Sequence, residues 1–125
     1  MEKGSVSMLE AKVVEIGPEA ISKGDPLMIL FDETASVQLR RVSVVQHFVD
    51  SNSKKRELKN LKKISIDGQV YEIKHIGELV QSNMEMIGHA TLFFKAVPEE
   101  PQHSGIYLEP YTLPSVAVGS VIKYY

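Results

Sequence analysis

Hydrophobic and polar residues alternate along most of this chain with a period of two, the spacing of a strand with one buried face. From Leu9 to Lys12 the order is apolar, Glu, Ala, Lys, and Val13 continues the odd-numbered apolar face. Then Val14 and Ile16 are apolar and Glu15 is polar, so the facing reverses inside one run. One extra residue in a strand does this, and a β-bulge is predicted there. Gly17-Pro18 closes the run. Leu27 to Phe31, after Asp25-Pro26, reads as a short buried strand. Ser36 to Val49 reads as another, with β-branched residues at Val37, Val42, Val44, Val45 and Val49.

Asp67-Gly68 sits between two alternating runs, a strong short-range hairpin signal. A two-residue turn places Ile66 opposite Gln69 and Ile64 opposite Tyr71. Ile64, Ile66, Tyr71 and Ile73 then share one face, with Ser65, Glu72 and Lys74 on the other. Glu78 to Met86 reads as a helical turn or an irregular link. Gly88 to Ala96 returns to strand, with Ala90, Leu92, Phe94 and Ala96 on one face and His89, Thr91 and Lys95 on the other. Pro98, Pro101, Pro110 and Pro114 break the next stretch into loops around a strand at Ile106 to Leu108, and Gly119 opens a last strand, Ser120 to Tyr124. Many short strands with little helix predict an all-β fold, a small closed or nearly closed antiparallel β-barrel with a short helical or irregular connector. A sandwich is the other all-β option.

Composition narrows the function classes. The chain has 125 residues and a formal charge of −2, which predicts one domain over residues 1–125. It has no cysteine, excluding a disulfide scaffold and a thiol nucleophile. No apolar run approaches the roughly 20 residues of a membrane-spanning helix, and Met1 to Met8 holds no signal-peptide core. The expected home is cytoplasmic. Near-neutral charge disfavours nucleic acid as a partner. Charge is uneven, however. Six basic residues and only Glu57 lie between Lys54 and Lys63. This stretch reads as a solvated connector whose Leu58 and Leu61 touch the core, or else as a docking patch for an acidic partner.

Candidate chemistry centres on four histidines, His47, His75, His89 and His103. None has the close spacing of a local metal motif, so no metal site is expected. His47 ends an apolar run. There a neighbour that accepts one ring N–H would leave the other nitrogen free to attack. The plainer alternative is a strand-end histidine bonded to backbone. His89 shares a strand face with Thr91 and Lys95, so it is either part of a polar outer face or an anion contact near His47. His75 follows Tyr71 and Ile73 and reads as a packed histidine, and His103 as a loop residue.

Gly88-His89-Ala90-Thr91-Leu92-Phe93-Phe94 resembles the G-H-x-T-L-x-F segment of the glucitol/sorbitol-specific IIA component of the bacterial phosphoenolpyruvate-dependent sugar phosphotransferase system. Val118-Gly119-Ser120-Val121-Ile122-Lys123-Tyr124 is similar to that family's P-G-S-x-[IL]-K-F ending. The stretch from Ile64 through Gly77 to Asn83 matches without a gap. The resemblance implies a cytoplasmic all-β protein that accepts a phosphoryl group on a histidine from the phosphocarrier HPr. It passes the group to the IIB part of a IIB/IIC hexitol transporter, needs no metal or organic cofactor, and is compatible with a homodimer.

In that family the acceptor directly follows an apolar run, in a pattern like F-x-[VI]-[IL]-H. Here Gln46 follows Val42 to Val45, and His47 comes one place later. An amide is no useful phosphoryl acceptor. Either an inserted residue restores His47 as acceptor, or the acceptor is missing and the chain is a regulatory or protein-binding relative. The resemblance implies His47 as the catalytic residue and His89, at the family's motif position, as a second site residue. A barrel that binds a small ligand is a third reading, based on fold alone.

Overall fold

The computed structural model describes residues 8–22, 24–50 and 57–125. Its strands are β1 (Leu9–Ile16), β2 (Leu27–Phe31), β3 (Val44–Phe48), β4 (Lys63–Ile66), β5 (Gln69–Ile76), β6 (Ala90–Phe93), β7 (Gly105–Glu109) and β8 (Val121–Tyr124). Two helices, α1 (Val37–Arg41) and α2 (Val80–Ile87), interrupt the series. The strands close into a barrel in the order β1-β3-β2-β6-β7-β5-β4-β8. This is the expected all-β barrel, and closure leaves none of these strands with an unpaired edge.

Six of the eight junctions are antiparallel, and β2–β3 and β6–β7 are parallel. Parallel neighbours need a crossover. Residues 32–43 supply the first one, and this corrects the continuous strand expected from Ser36 to Val49. The Ser36 side chain caps α1 by accepting from the Leu39 backbone N–H at 3.3 Å. A short capped helix is the way back along the barrel wall. Valine-rich composition alone does not reveal that need.

The β1 bulge lies where the facing reverses. Val13 pairs with Gln46 and Glu15 pairs with Val45, so Val14 has no register partner. Leu9, Ala11 and Val13 therefore point inward. They pack with Leu30, Val44, Ile64, Ile66, Tyr71, Leu92, Phe94, Ile106, Leu108 and Tyr124 in one cluster. Tyr71 meets Phe94 edge-on, with ring centroids 5.0 Å apart. Side chains fill the barrel, so its centre is a packed core.

The β4–β5 hairpin has the expected register, Ile64 opposite Tyr71 and Ile66 opposite Gln69. Asp67 (φ 50°) and Gly68 (φ 86°) both take the left-handed conformation, which a type I′ turn requires. A second bulge between Ile73 and His75 corrects the reading of His75. The irregularity takes His75 out of the core-facing row, and its ring lies edge-on to Tyr107.

Helix α2 is longer than the single turn read from the sequence. Val80 and Met84, four apart on one face, are fully buried. Gly88 ends it at φ 60°, donating its N–H to the Met84 carbonyl. Strand β6 ends at Phe93 instead of reaching Ala96. Leu58 and Leu61 do touch the core, in one turn closed by a Leu61 N–H to Leu58 carbonyl bond. Lys54, Lys55 and Arg56 of the basic stretch, and Met1 to Ser7, lie outside the described residues.

Candidate functional site

Strand direction gathers the histidines. β2, β3 and β5 run toward one end of the barrel, and β6 and β7 run away from it. His47 lies near the finish of β3 and His75 near that of β5, while His89 precedes β6 and His103 precedes β7. All four therefore lie at the same end. Helix α2 joins β5 to β6 there and plugs the opening with Val80 and Met84.

His47 points outward, with 56% of its side-chain surface exposed. Its Nδ1 lies 2.5 Å from a Glu33 carboxylate oxygen. An ionised carboxylate only accepts, so Nδ1 carries a proton, and in the neutral ring Nε2 then holds the lone pair. The loop bearing Glu33 is itself tied down. The Asp32 carboxylate accepts from the Thr34 backbone N–H at 2.9 Å and from its hydroxyl at 2.6 Å. Arg40 donates to the carbonyls of Glu33 and Ala35, and reaches the Glu15 carboxylate at 2.6 Å. Sequence patterning misses Glu33, because a carboxylate in a loop has no period. It also misses Lys12, which is exposed and lies directly opposite His47 in the β1–β3 register.

His89 is held differently. Its Nδ1 lies 2.9 Å from the Leu30 carbonyl oxygen, which again puts the proton on Nδ1 and the lone pair on Nε2. The ring stacks on Phe31 with centroids 4.2 Å apart and planes 17° from parallel. Phe31 pairs in turn with Val45, two residues before His47. The two imidazoles thus flank β2, His47 on β3 and His89 just before β6. They belong to one end of one wall but do not touch as a pair.

The other candidates separate. Lys95 follows the far end of β6, with its ammonium 5.4 Å from the Phe93 ring centroid, so it does not join His89 and His47. His103 pairs with Glu78 at 2.6 Å on the surface. Among the described residues no group of three or more His, Cys, Asp or Glu is placed to hold a metal ion. A hollow of about 610 Å³ is lined by residues that include Leu58, Lys62, His75, Gln81 and Glu85, and by neither His47 nor His89.

Gln46 is fully buried and points into the barrel. Its amide donates to the Gly88 carbonyl at 3.0 Å and accepts from the Tyr124 hydroxyl at 2.5 Å. The Met84 sulfur lies 3.7 Å from the same amide nitrogen. Parity therefore separates the neighbours: Gln46 is interior and His47 is the outward imidazole.

Comparison with known proteins agrees with this architecture. Residues 8–123 match the family model described as PTS system glucitol/sorbitol-specific IIA component. A crystal structure described as the PTS system IIA component from Enterococcus faecalis V583 is 33% identical. It superposes with a TM-score of 0.83, over 90% of this chain and 96% of that one. No curated protein sequence matches. Among the described residues no helix is long and apolar enough to cross a membrane. The chain belongs to the glucitol/sorbitol-specific IIA components of the sugar phosphotransferase system, whose work is phosphoryl relay.

Proposed function

We propose that residues 1–125 act as one cytoplasmic IIA unit in which His47 Nε2 accepts a phosphoryl group from the phosphohistidine of HPr. It then delivers the group to the IIB subunit of a hexitol transporter. The observation that carries this reading is the exposed His47 ring with Nδ1 held by Glu33. Attack by the Nε2 lone pair forms the new N–P bond as the donor's N–P bond breaks, in line and through a loose transition state. The His47 ring gains positive charge as the bond forms. Glu33, already on Nδ1–H, stabilises that charge and keeps the reacting tautomer. Lys12, across the ladder, is the nearest cation by register for the transferring oxygens. His89 supplies a second imidazole that, when protonated, donates to a bound phosphoryl anion.

The test is acid-labile ³²P incorporation from phosphoenolpyruvate in the presence of the general phosphotransferase proteins. Wild type and His89→Ala are expected to label, the latter more slowly, and His47→Ala to stay unlabelled while folded. Undiminished label on His47→Ala would move the acceptor, first to His89. Gln46 supports a second reading, because the position matching the family acceptor holds a buried amide. A wild-type chain that takes no label yet binds transporter subunits would establish that regulatory role instead.

A further inference from the structure

His47 follows Gln46 in the chain, and His89 follows Gly88. The Gln46 side chain bonds to the carbonyl of Gly88, the oxygen of the peptide that leads directly into His89. Strands β3 and β6 do not pair, because β2 lies between them. This buried amide therefore joins the chain segments beside both histidines from the barrel interior, without passing through β2. We propose that Gln46 is a positioning residue, a brace that fixes the His89 peptide against the His47 strand and so sets the geometry in which the phosphoryl group is received.

Three features make the brace rigid. Gln46 has no exposed surface, so water does not compete for its bonds. The Gly88 carbonyl can only accept, so its bond alone turns the amide nitrogen toward it, and the amide oxygen separately accepts from Tyr124 at 2.5 Å. Gly88 has no freedom to drift the other way, because its Cα packs against Asp32 so closely that a Cβ there would lie 2.6 Å from the Asp32 Cβ. The Asp32 N–H, in turn, bonds to the Ile87 carbonyl at 2.9 Å. The peptide before His89 is thus held on one side by Gln46 and on the other by the loop that carries Glu33, the residue orienting His47. An amide serves here where an aliphatic chain does not. It offers a donor and an acceptor at the end of a flexible stem, and both are used.

This inference rests on the phosphoryl-relay reading, so its test has one readout that needs no phosphoryl transfer. Gln46→Met keeps length and volume but removes the donor, whereas Tyr124→Phe removes the other end of the network and leaves the Gln46–Gly88 bond. In Gln46→Met the imidazole ¹⁵N signals of His89 are expected to shift from a single Nδ1–H tautomer to a mixture. In Tyr124→Phe they are expected to stay as in wild type. Phosphoryl transfer in Gln46→Met is expected to lose at least tenfold in kcat with KM for phospho-HPr within twofold. Tyr124→Phe is expected to keep kcat within twofold although it too unfolds earlier in urea. A folded Gln46→Met with wild-type ¹⁵N signals, or equal losses of kcat in both variants, would overturn the brace. Absence of transfer in wild type alongside the ¹⁵N shift in Gln46→Met would instead remove the relay reading and leave the brace standing.

Discussion

Lys12 and His47 stand opposite each other on neighbouring antiparallel strands, both exposed on the outer wall of the barrel. Directly opposed residues of such a ladder have Cβ atoms about 5 Å apart. An ammonium on a four-carbon stem therefore reaches the space beyond the imidazole. The pairing depends on the bulge that follows. Val14 drops out of register immediately after Val13. Without that extra residue the β1 side chains before or after it would face the wrong way.

Lys12→Met is accordingly expected to slow phosphorylation of His47 about tenfold, a loss of roughly 1.4 kcal/mol in transition-state stabilisation. Lys12→Arg should retain most of the rate. Because the contact is exposed, the wild-type advantage should shrink as ionic strength rises. The urea midpoint should barely move, since a surface lysine contributes little to stability. Initial rates of ³²P transfer at low and high salt check all of this. A salt-independent Lys12→Met rate equal to wild type would remove Lys12 from the site.

Gly88→Ala tests the junction between α2 and His89. The residue sits at φ 60° and has Asp32 against its Cα. Alanine has to bear a left-handed backbone and also push the Asp32 loop outward. The expected loss is about 1–3 kcal/mol by urea denaturation. Transfer should fall further than that stability loss explains, because the displaced loop carries Glu33. Gly24→Ala, also at positive φ but with open space around it, should show strain alone and leave transfer unchanged.

Local features of this fold were readable in the chain. Asp67-Gly68 determines its hairpin register, and the parity switch at Val14 announces its bulge, because a period of two has only two phases. Val37 to Arg41 was not readable as helix. Its cap is a single Ser36, Val37 and the following Val42 favour strand, and what demands a crossover there is the parallel neighbour β3, a tertiary fact. His75 leaves the apolar row for a similar reason: one unpaired residue after Ile73 reverses the facing, and Lys74, polar where plain alternation also expects a polar residue, does not mark it. The histidines illustrate the limit for the site. Their sequence separations carry no signal, yet strand direction brings all four to one end. Which neighbour holds each ring, Glu33 for His47 and the Leu30 carbonyl for His89, follows from contacts between distant segments.

Acid stability should reveal the hairpin turn. Ser120 donates its hydroxyl to the Asp67 carboxylate at 2.6 Å, and the Val121 N–H donates to it at 2.9 Å. These bonds, the serine first, hold the Asp67 carboxyl below its ordinary value. A depressed carboxyl contributes stability that is present above its unfolded pKa, near 3.9, and is lost as pH falls through the folded value. Asp67→Asn keeps a residue that tolerates the left-handed turn. Its stability relative to wild type should therefore improve as pH drops below about 4. Ser120→Ala should lose most of the same acid dependence. Urea midpoints between pH 2.5 and 7 measure it. Parallel wild-type and Asp67→Asn curves across that range would contradict the assignment.

The alkaline limb should belong mainly to Tyr124. Its hydroxyl is fully buried, and burial raises its pKa well above the ordinary phenol value, with the bond to Gln46 opposing in part. Tyr71 is raised as well, by burial, although its hydroxyl donates to the Thr112 carbonyl at 2.8 Å. For a phenol raised on folding, the unfolded chain loses its proton first. Stability is then complete below about pH 10, the unfolded value, and falls as pH rises beyond it. Tyr124→Phe should weaken the protein by about 1–3 kcal/mol at neutral pH, because the Gln46 oxygen loses its buried donor. The same variant should show a shallower decline above pH 10, since one of the two phenols raised on folding is gone. An alkaline slope identical in Tyr124→Phe and wild type would mean that the interior phenol does not govern this limb.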